Sequence, residues 1–298
     1  MKILNFGSLN IDMVYSVAHF VQAGETLSSG QMEKFCGGKG LNQSIALAKA
    51  GAKVYHAGCI GPEGAMLTSA LTENGVDSRF VRTVDAPCGH AVIQVDASGQ
   101  NCILLFGGAN QCVTGAFAEE ALAFFSEGDI LLLQNEISGL EHIMRLAYKK
   151  GMRIALNPSP IRENLKTLPL EYVRWFILNE HEGLELSGES NPPDILDAMA
   201  IKYPGSEFVL TLGKAGVVYD NGQTRISHGV YDVPVADTTA AGDTFTGYFL
   251  QGVSAGLAPE EILEIASIAS SLAVSKKGAS SSIPSMAEVL AARAAFNA

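Results

Sequence analysis

Short, mostly apolar segments alternate with helical patterns along the first two thirds of the chain. Strand patterns are predicted at residues 2–6, 54–58, 130–134, 153–157, 175–178 and 208–212. Helical patterns lie between them at residues 41–50, 65–74, 116–125, 140–149 and 195–202. Strand, helix and strand in repetition predict a mostly parallel sheet covered on both faces. The expected fold is therefore α/β, with a three-layer Rossmann-like core.

Two parts of the chain depart from this alternation. Residues 244–255, 259–275 and 285–298 form three helical patterns in succession, and residues 13–36 and 88–107 are β-like. The second β-like segment contains a predicted hairpin with its turn at Ser98 and Gly99. Paired together, the two insertions could form a small β-sheet lid over one end of the main sheet, and the alternative is an edge hairpin without function. Since no linker divides the sequence, residues 1–298 are expected to form one domain.

Composition and charge limit the partners that are expected. The chain has 298 residues, of which 47% are hydrophobic, and a formal net charge of -11. An acidic surface argues against nucleic acid or an anionic membrane as the partner. The apolar runs are too short for a membrane span or a secretory signal, which predicts a cytoplasmic protein. Five scattered cysteines without zinc-type spacing indicate unpaired thiols with no assigned role.

The common nucleotide-binding motifs are missing. Gly38-Lys39 and Gly213-Lys214 are not followed by the Ser or Thr of a phosphate-binding GxxxxGK loop. The first strand is followed by "GSLNID" rather than by GxGxxG. This weakens the prediction of a nicotinamide-dependent oxidoreductase, because that fold needs the glycines directly after its first strand.

The segment "DTTAAGDTFTGY" at residues 237–248 suggests a different chemistry. Its helical periodicity places Ala241, Gly242 and Asp243 at the N-terminus of a helix, where unpaired amides and small side chains can receive an anion. A carboxylate at that point could take a proton from a hydroxyl that attacks phosphorus. The alternative for Asp243 is an ordinary helix N-cap.

Further motifs accompany this segment in a fixed order. They are "GSLNID" (7–12), "GGKGLNQ" (37–43), "GAN" (108–110), "LLQNE" (132–136), "LNPSP" (156–160), "NEHE" (179–182), "TLGKAG" (211–216) and "KKGASSSIP" (276–284). With "DTTAAGDTF", they make the chain resemble the PfkB-type carbohydrate kinase family, and within it the ribokinase group. The resemblance covers nearly the whole chain and implies an ATP-dependent sugar kinase.

The resemblance also implies roles for individual residues. Asp243 matches the family's catalytic base, and the amides of Ala241 and Gly242 belong with it to an anion hole. The sugar-binding positions are matched by Asn10, Asp12, Gly38, Lys39, Asn42 and Glu136. The ATP and Mg²⁺ positions are matched by Asn179, Glu182, Thr211, Gly213 and Gly216. A loop for a monovalent cation such as K⁺ is matched by Asp237, Thr239, Ala273, Lys276, Gly278 and Ser282.

Several alternatives remain open at this point. Asn10 and Asp12 could cap a turn, Asn179 and Glu182 could open a helix, and Lys276 could replace the cation. Leu41 and Phe106 depart from the family pattern by adding apolar bulk near the expected pocket. The resemblance implies ribose as the substrate, and these two departures leave deoxyribose, fructose, a ketodeoxy sugar acid or a nucleoside as alternatives. A catalytically silent sugar-binding protein is also possible, and the resemblance implies a homodimer formed through the lid.

Overall fold

The computed structural model describes residues 1–296, and its largest element is a nine-stranded sheet. In spatial order the strands are β13 (Arg225–His228), β12 (Val217–Asp220), β11 (Glu207–Thr211), β10 (Val173–Asn179), β9 (Arg153–Asn157), β8 (Ile130–Gln134), β1 (Ile3–Phe6), β4 (Val54–Ile60) and β5 (Asp77–Thr83). All neighbouring pairs from β11 to β5 are parallel, whereas β12 and β13 are antiparallel. The predicted mostly parallel sheet is confirmed.

Helices cover both faces of this sheet. They are α1 (Lys39–Lys49), α2 (Ala65–Glu73), α3 (Gly115–Ala123), α4 (Leu140–Lys149), α5 (Glu180–Ser187), α6 (Pro192–Lys202), α7 (Ala241–Ala255), α8 (Pro259–Val274) and α9 (Met286–Phe296). Short 3₁₀ turns occur at Gly108–Cys112, Glu163–Thr167, Leu170–Tyr172 and Gly213–Ala215. Residues 297–298, the end of the last predicted helix, lie outside the described residues.

Successive apolar side chains of the buried strands alternate between the two faces of the sheet and so contribute to two hydrophobic cores. Ile3 of β1 belongs to the core that contains α1, α7 and α8, whereas its neighbour Leu4 belongs to the core that contains α3, α4 and α6. Successive strand residues point to opposite faces, so a strand that is apolar throughout needs a helical layer on each side. The predicted three-layer arrangement follows from this pattern.

Four further strands form a separate sheet, which we call the lid sheet. They are β3 (Gln31–Gly37), β2 (Asn10–Ser16), β6 (Gly89–Val95) and β7 (Asn101–Phe106), in that spatial order. The two predicted β-like insertions therefore pair with each other, through parallel strands β2 and β6. This excludes a hairpin added to the edge of the main sheet.

Some elements differ from the sequence prediction. The sequence pattern did not predict β5, β12 or β13, and α7 begins at Ala241 rather than at residue 244. The antiparallel strands β12 and β13 have four residues each, too few for periodicity to distinguish them from loop. All five cysteines are free thiols. Among residues 1–296, no helix has the length and apolar character needed to cross a membrane.

Candidate functional site

Asp243 lies in the first turn of α7 and is buried, with 6% of its surface exposed. Ala240, and not Asp243, is the N-cap of this helix, and no side chain caps it. The two carboxylate oxygens of Asp243 instead accept one hydrogen bond each, from Asn42 Nδ2 and from Gln43 Nε2, both at 2.9 Å. The alternative of a capping aspartate is therefore excluded.

The surroundings of Asp243 set its proton affinity. Burial raises the pKa of the carboxyl group, and the positive charge of Lys39 and the two amide hydrogen bonds oppose that rise. For Lys39, burial alone lowers the pKa, but the attraction of Asp243, Glu136 and Glu182 outweighs it and leaves the pKa raised. Lys39 is thus a positive charge placed among three carboxylates.

The carboxyl ends of β1 and β8 bring a second group of predicted residues to the start of α1. Ser8 Oγ donates to Glu136 Oε2, and the backbone amide of Lys39 donates to the same oxygen at 3.1 Å. Gly38 is the N-cap of α1 and has a φ of 94°, a conformation that favours glycine. Glu136 is therefore fixed beside Lys39, where ligands are expected in an open α/β sheet.

Asn10 and Asn110 form a pair at the base of the lid sheet. Asn110 Nδ2 donates to Asn10 Oδ1 at 2.7 Å, and the backbone amide of Leu9 donates to Asn110 Oδ1 at 2.9 Å. A Cβ atom at Gly89 would lie only 2.0 Å from Asn110 Nδ2 and 2.3 Å from Asn10 Oδ1. Glycine at this position is required for the pair to form.

Asp12 lies two residues after Asn10 on strand β2 and is half-buried. Burial, with a smaller contribution from the negative charge of Glu136, raises the pKa of Asp12 to about 7. Among residues 1–296 no side chain or amide donates to this carboxyl group, and sugar hydroxyl groups are suitable donors.

Asn42 connects this group of residues to Asp243. Its Nδ2 donates to Asp243, whereas its Oδ1 is buried and has no hydrogen-bond partner within the described residues. A buried acceptor of this kind is costly unless a donor pairs with it. The orphaned oxygen fits a hydroxyl group of a bound ligand.

A cavity of about 560 Å³ lies on the other side of the α7 N-terminus. The predicted residues in its lining are Thr211, Gly213, Gly216, Ala241 and Gly242. Its volume is in the range of sites for cofactors and other small molecules. The structure thus brings three of the predicted nucleotide residues and two of the predicted anion-hole residues to one cavity.

The first amides of α7 differ in their partners. Ala241 N donates to Thr238 O at 3.3 Å, whereas within residues 1–296 no backbone carbonyl accepts from the amides of Gly242 and Asp243. A Cβ atom at Gly242 would meet no atom within 4 Å. The helix N-terminus is therefore open to an anion at Gly242, and the amide of Ala241 is already engaged.

Asn179 and Glu182 form a capping box at the start of α5. Asn179 Oδ1 accepts from Glu182 N at 2.9 Å, and Glu182 Oε2 accepts from Asn179 N at 3.0 Å. The structure thus agrees with the alternative in which Asn179 and Glu182 form the first turn of a helix. Glu182 is nonetheless buried, and burial raises the pKa of its carboxyl group. Neither residue lines the cavity.

Asp237 joins two of the segments in the predicted cation loop. Its Oδ1 accepts from Thr239 N at 2.9 Å and its Oδ2 accepts from Gly278 N at 3.1 Å. The amide of Lys276 donates to Ala273 O, and Ser282 Oγ donates to Ala279 O. The ammonium group of Lys276 pairs with Glu288 at 2.9 Å, so the alternative of Lys276 as a substitute for the cation is not supported.

Metal-binding side chains are sparse in this region. No group of three or more His, Cys, Asp or Glu side chains in the described part of the chain could hold a metal ion. Mg²⁺ in phosphoryl-transfer enzymes commonly uses one or two carboxylates together with substrate phosphates. Buried Glu182 fits such a partial site, whereas a dedicated protein cage for a divalent ion does not.

Three residues that make contacts in the site, Gln43, Ser8 and Asn110, are not among those predicted from the family pattern. Gln43 binds Asp243, Ser8 binds Glu136, and Asn110 holds Asn10. All three belong to motifs that the sequence displays, but their partners lie far away along the chain. Leu41 is fully buried in the core between α1 and α7, so its bulk serves packing. Phe106 is 49% exposed and contacts His90 in the lid sheet.

Nearly the whole sequence is similar to known carbohydrate kinases. The sequence profile described as pfkB family carbohydrate kinase matches residues 1–286. A ribokinase of Haemophilus influenzae is 36% identical over 296 residues, which cover 95% of each chain.

Solved structures give the same relationship. The ribokinase of Cryptococcus neoformans in complex with ADP has a TM-score of 0.86 and 30% identity, and covers 98% of this chain and 99% of its own. The Arabidopsis thaliana ribokinase complexed with ribose and ATP has a TM-score of 0.85 and 30% identity, with 97% of each chain covered. The similarity therefore extends over the complete fold, including the lid sheet.

Proposed function

The chain belongs to the pfkB family of carbohydrate kinases, and we propose that it transfers the γ-phosphoryl group of ATP to the primary hydroxyl group of ribose. The observation that carries this proposal is the position of Asp243. Its carboxylate is bonded to Asn42 on the side of the predicted sugar residues, and its helix begins at the 560 Å³ cavity. A base between a polyol site and an anion site suits transfer of a phosphoryl group to a hydroxyl.

On the sugar side, the residues provide paired acceptors and donors. The carboxylates of Asp12 and Glu136 and the unpaired Oδ1 of Asn42 can accept hydrogen bonds from hydroxyl groups. The Lys39 ammonium can donate a hydrogen bond to a hydroxyl oxygen. Asp243 then removes the proton of the attacking hydroxyl as the bond to phosphorus forms. Ribose is favoured as the substrate because the Haemophilus and Arabidopsis relatives are ribokinases, the latter solved with ribose and ATP.

On the nucleotide side, the open N-terminus of α7 would bind the transferring group. The amides of Gly242 and Asp243 point along the helix axis and stabilise negative charge there. We expect Mg²⁺ beside Glu182 and K⁺ beside Asp237, where they would neutralise phosphate charge and order the loop that precedes α7.

The lid sheet has a proposed role in excluding water from the sugar. Its strands β2 and β6 begin directly at the Asn10–Gly89 pair, so the sheet and the sugar site share residues. Excluding water limits hydrolysis of ATP, which is the competing reaction. We also propose that lid sheets of two chains pair in a homodimer and that the enzyme acts in the cytoplasm.

The proposal is tested by measuring ADP release with ribose, deoxyribose, fructose, a ketodeoxy sugar acid and a nucleoside. We expect ribose to give the highest kcat/KM and the Asp243→Asn variant to lose activity with all of them. If another compound of the panel gives a higher kcat/KM, that compound replaces ribose as the proposed substrate and the kinase assignment remains. Sugar binding without any sugar-dependent ADP release would overturn the kinase assignment.

A further inference from the structure

Four carboxamide side chains form a connected cluster beneath Asp243, which we call the carboxamide cluster: Asn5, Gln43, Gln134 and Asn157. Gln134 Nε2 donates to Asn5 Oδ1 at 3.0 Å and to Gln43 Oε1 at 2.6 Å. Gln43 Nε2 donates to Asn157 Oδ1 at 3.2 Å and to Asp243 Oδ1 at 2.9 Å. The first three members are fully buried. Gln43 therefore connects Asp243 to the cluster.

The direction of each hydrogen bond in the cluster is set by a backbone carbonyl at one end. Asn5 Nδ2 donates to Gly40 O at 2.8 Å, and a carbonyl oxygen can only accept. Asn5 must therefore turn its oxygen toward Gln134, and Gln134 must turn its nitrogen toward Gln43. Gln43 then accepts at Oε1 and has only its N–H groups left for Asp243.

A second backbone carbonyl gives the same result independently. Asn157 Nδ2 donates to Ile177 O at 2.9 Å, so Asn157 presents its oxygen to Gln43. A flipped Gln43 would place its Oε1 against the oxygens of both Asn157 and Asp243, and its Nε2 against the nitrogen of Gln134. Buried polar atoms that face like atoms are strongly unfavourable. Only one orientation of the Gln43 amide pairs both its nitrogen and its oxygen, while Gln134 Oε1 has no hydrogen-bond partner within the described residues.

We propose that Gln43 is a positioning residue for phosphoryl transfer: the carboxamide cluster forces its N–H toward Oδ1 of Asp243, which keeps this base ionised and correctly oriented. The inference rests on the proposed role of Asp243 as the base. Asn42 supplies the matching N–H to Oδ2, so each oxygen has one neutral donor. The lone pairs that remain on the carboxylate are free for the proton of the substrate hydroxyl.

Other charged groups also act on Asp243. Lys39, on the same helix as Gln43, favours the ionised carboxylate, and Glu136, beyond β8, disfavours it. Because a hydrogen bond to the ionised form lowers a carboxyl pKa, loss of the Gln43 donor should raise the pKa of Asp243. The acid limb of the kcat profile should then move to higher pH while Lys39 and Glu136 are unchanged.

The test compares Gln43→Met with Ser44→Ala, both on α1 and both fully buried in the wild type. Met keeps the size of Gln43 but cannot donate, whereas Ser44→Ala removes the hydrogen bonds of Ser44 to Asn5 and to His56 and leaves Asn5 bonded to Gly40 O. For Gln43→Met we expect kcat to fall about 10-fold or more and the acid limb to rise by about one pH unit, with KM for ribose changed less than kcat. Ser44→Ala should keep the wild-type acid limb.

A third variant tests the cluster without altering Gln43. Gln134→Met removes the donor that orients Gln43, so it should shift the acid limb in the same direction by a smaller amount. If both Gln43→Met and Gln134→Met keep the wild-type kcat and acid limb, the positioning role is wrong. The Asp243→Asn variant distinguishes a failure of the proposed base from a failure of the inference about Gln43. Retained turnover in Asp243→Asn contradicts the proposed base. An inactive Asp243→Asn together with a normal Gln43→Met contradicts only the positioning role of Gln43.

Discussion

Asn42 Nδ2 lies 2.9 Å from Asp243 Oδ2, so a residue of the predicted sugar site directly holds the predicted base. The two residues come from helices α1 and α7, which pack against each other through Gly247 and Ala46. A Cβ atom at Gly247 would lie 2.4 Å from the Ala46 side chain, so the close packing of the helices depends on this glycine. Helix packing thus fixes the distance between the predicted sugar site and the predicted base.

Replacement of Asp243 separates its chemical role from a structural one. Asp243→Asn should lower kcat by about 100-fold or more, because the amide cannot act as a general base. No N-cap is lost, since Ala240 is the N-cap; any fall in thermal stability would come instead from the new amide N–H groups, which must face the N–H of Asn42 or of Gln43. Steady-state ADP release and thermal unfolding measure the two effects. Asp197→Asn, an equal change on the exposed surface, is the control, and turnover near the wild-type value in Asp243→Asn would contradict the assignment.

Ribose binding should depend on pH through Asp12. Its pKa of about 7 means that the carboxyl group is largely protonated below that pH, and hydroxyl donors of the sugar favour the ionised form. Binding below pH 7 must therefore release a proton, and the Kd for ribose should rise by up to about tenfold for each pH unit of acidification. Titration calorimetry in buffers of different ionisation enthalpy measures the released proton. Asp12→Asn should abolish this dependence, and a pH-independent Kd in the wild type would refute it.

The sequence predicts the parts of this fold that are encoded locally. A strand such as β8 is apolar at nearly every position, and the small residues around the start of α7 indicate a helix N-terminus without reference to the rest of the chain. Contacts such as Gln43 to Asp243 join residues 200 positions apart. Their hydrogen-bond directions depend on backbone carbonyls that only the folded chain brings together. Local pattern therefore makes Asp243 a candidate base, but it does not predict which residues hold it.

Monovalent cations should activate the enzyme through the Asp237 loop. Asp237 connects Thr239 and Gly278, and Lys276 is paired with Glu288, so this lysine does not neutralise Asp237. A bound cation would order the loop that leads to Gly242. We expect ADP release to increase when K⁺ replaces a large organic cation at constant ionic strength, and Asp237→Ala to remove most of this increase. An equal rate in both salts would mean that the loop needs no ion.

Self-association should occur through the outer strands of the lid sheet. Ile103 and Leu104 are 55% and 71% exposed on β7, an edge strand, and such strands are commonly paired or covered. Light scattering should give about twice 31.4 kDa for the wild type and a monomer for Leu104→Lys. Ile201→Lys, at an 83% exposed position on α6, makes the same change away from the lid and should remain dimeric. A monomeric wild type at micromolar concentration would contradict the proposed interface.

Discrimination between ribose and 2-deoxyribose should follow from the polar residues of the sugar site. Leu41 is part of the core, so the site is defined by Asp12, Asn42 and Glu136 rather than by that added bulk. A site that hydrogen-bonds a hydroxyl group leaves its own polar atoms unpaired when the hydroxyl is missing, and this penalty falls on kcat/KM. We expect kcat/KM for ribose to exceed that for 2-deoxyribose by about 10-fold or more, and Asp12→Ala to reduce the ratio as well as the activity. The ratio is measured with both sugars in one ADP-release assay, at saturating ATP. If 2-deoxyribose gives the higher kcat/KM, these side chains do not bind the 2-hydroxyl group, and the enzyme is a deoxyribose kinase with the same base.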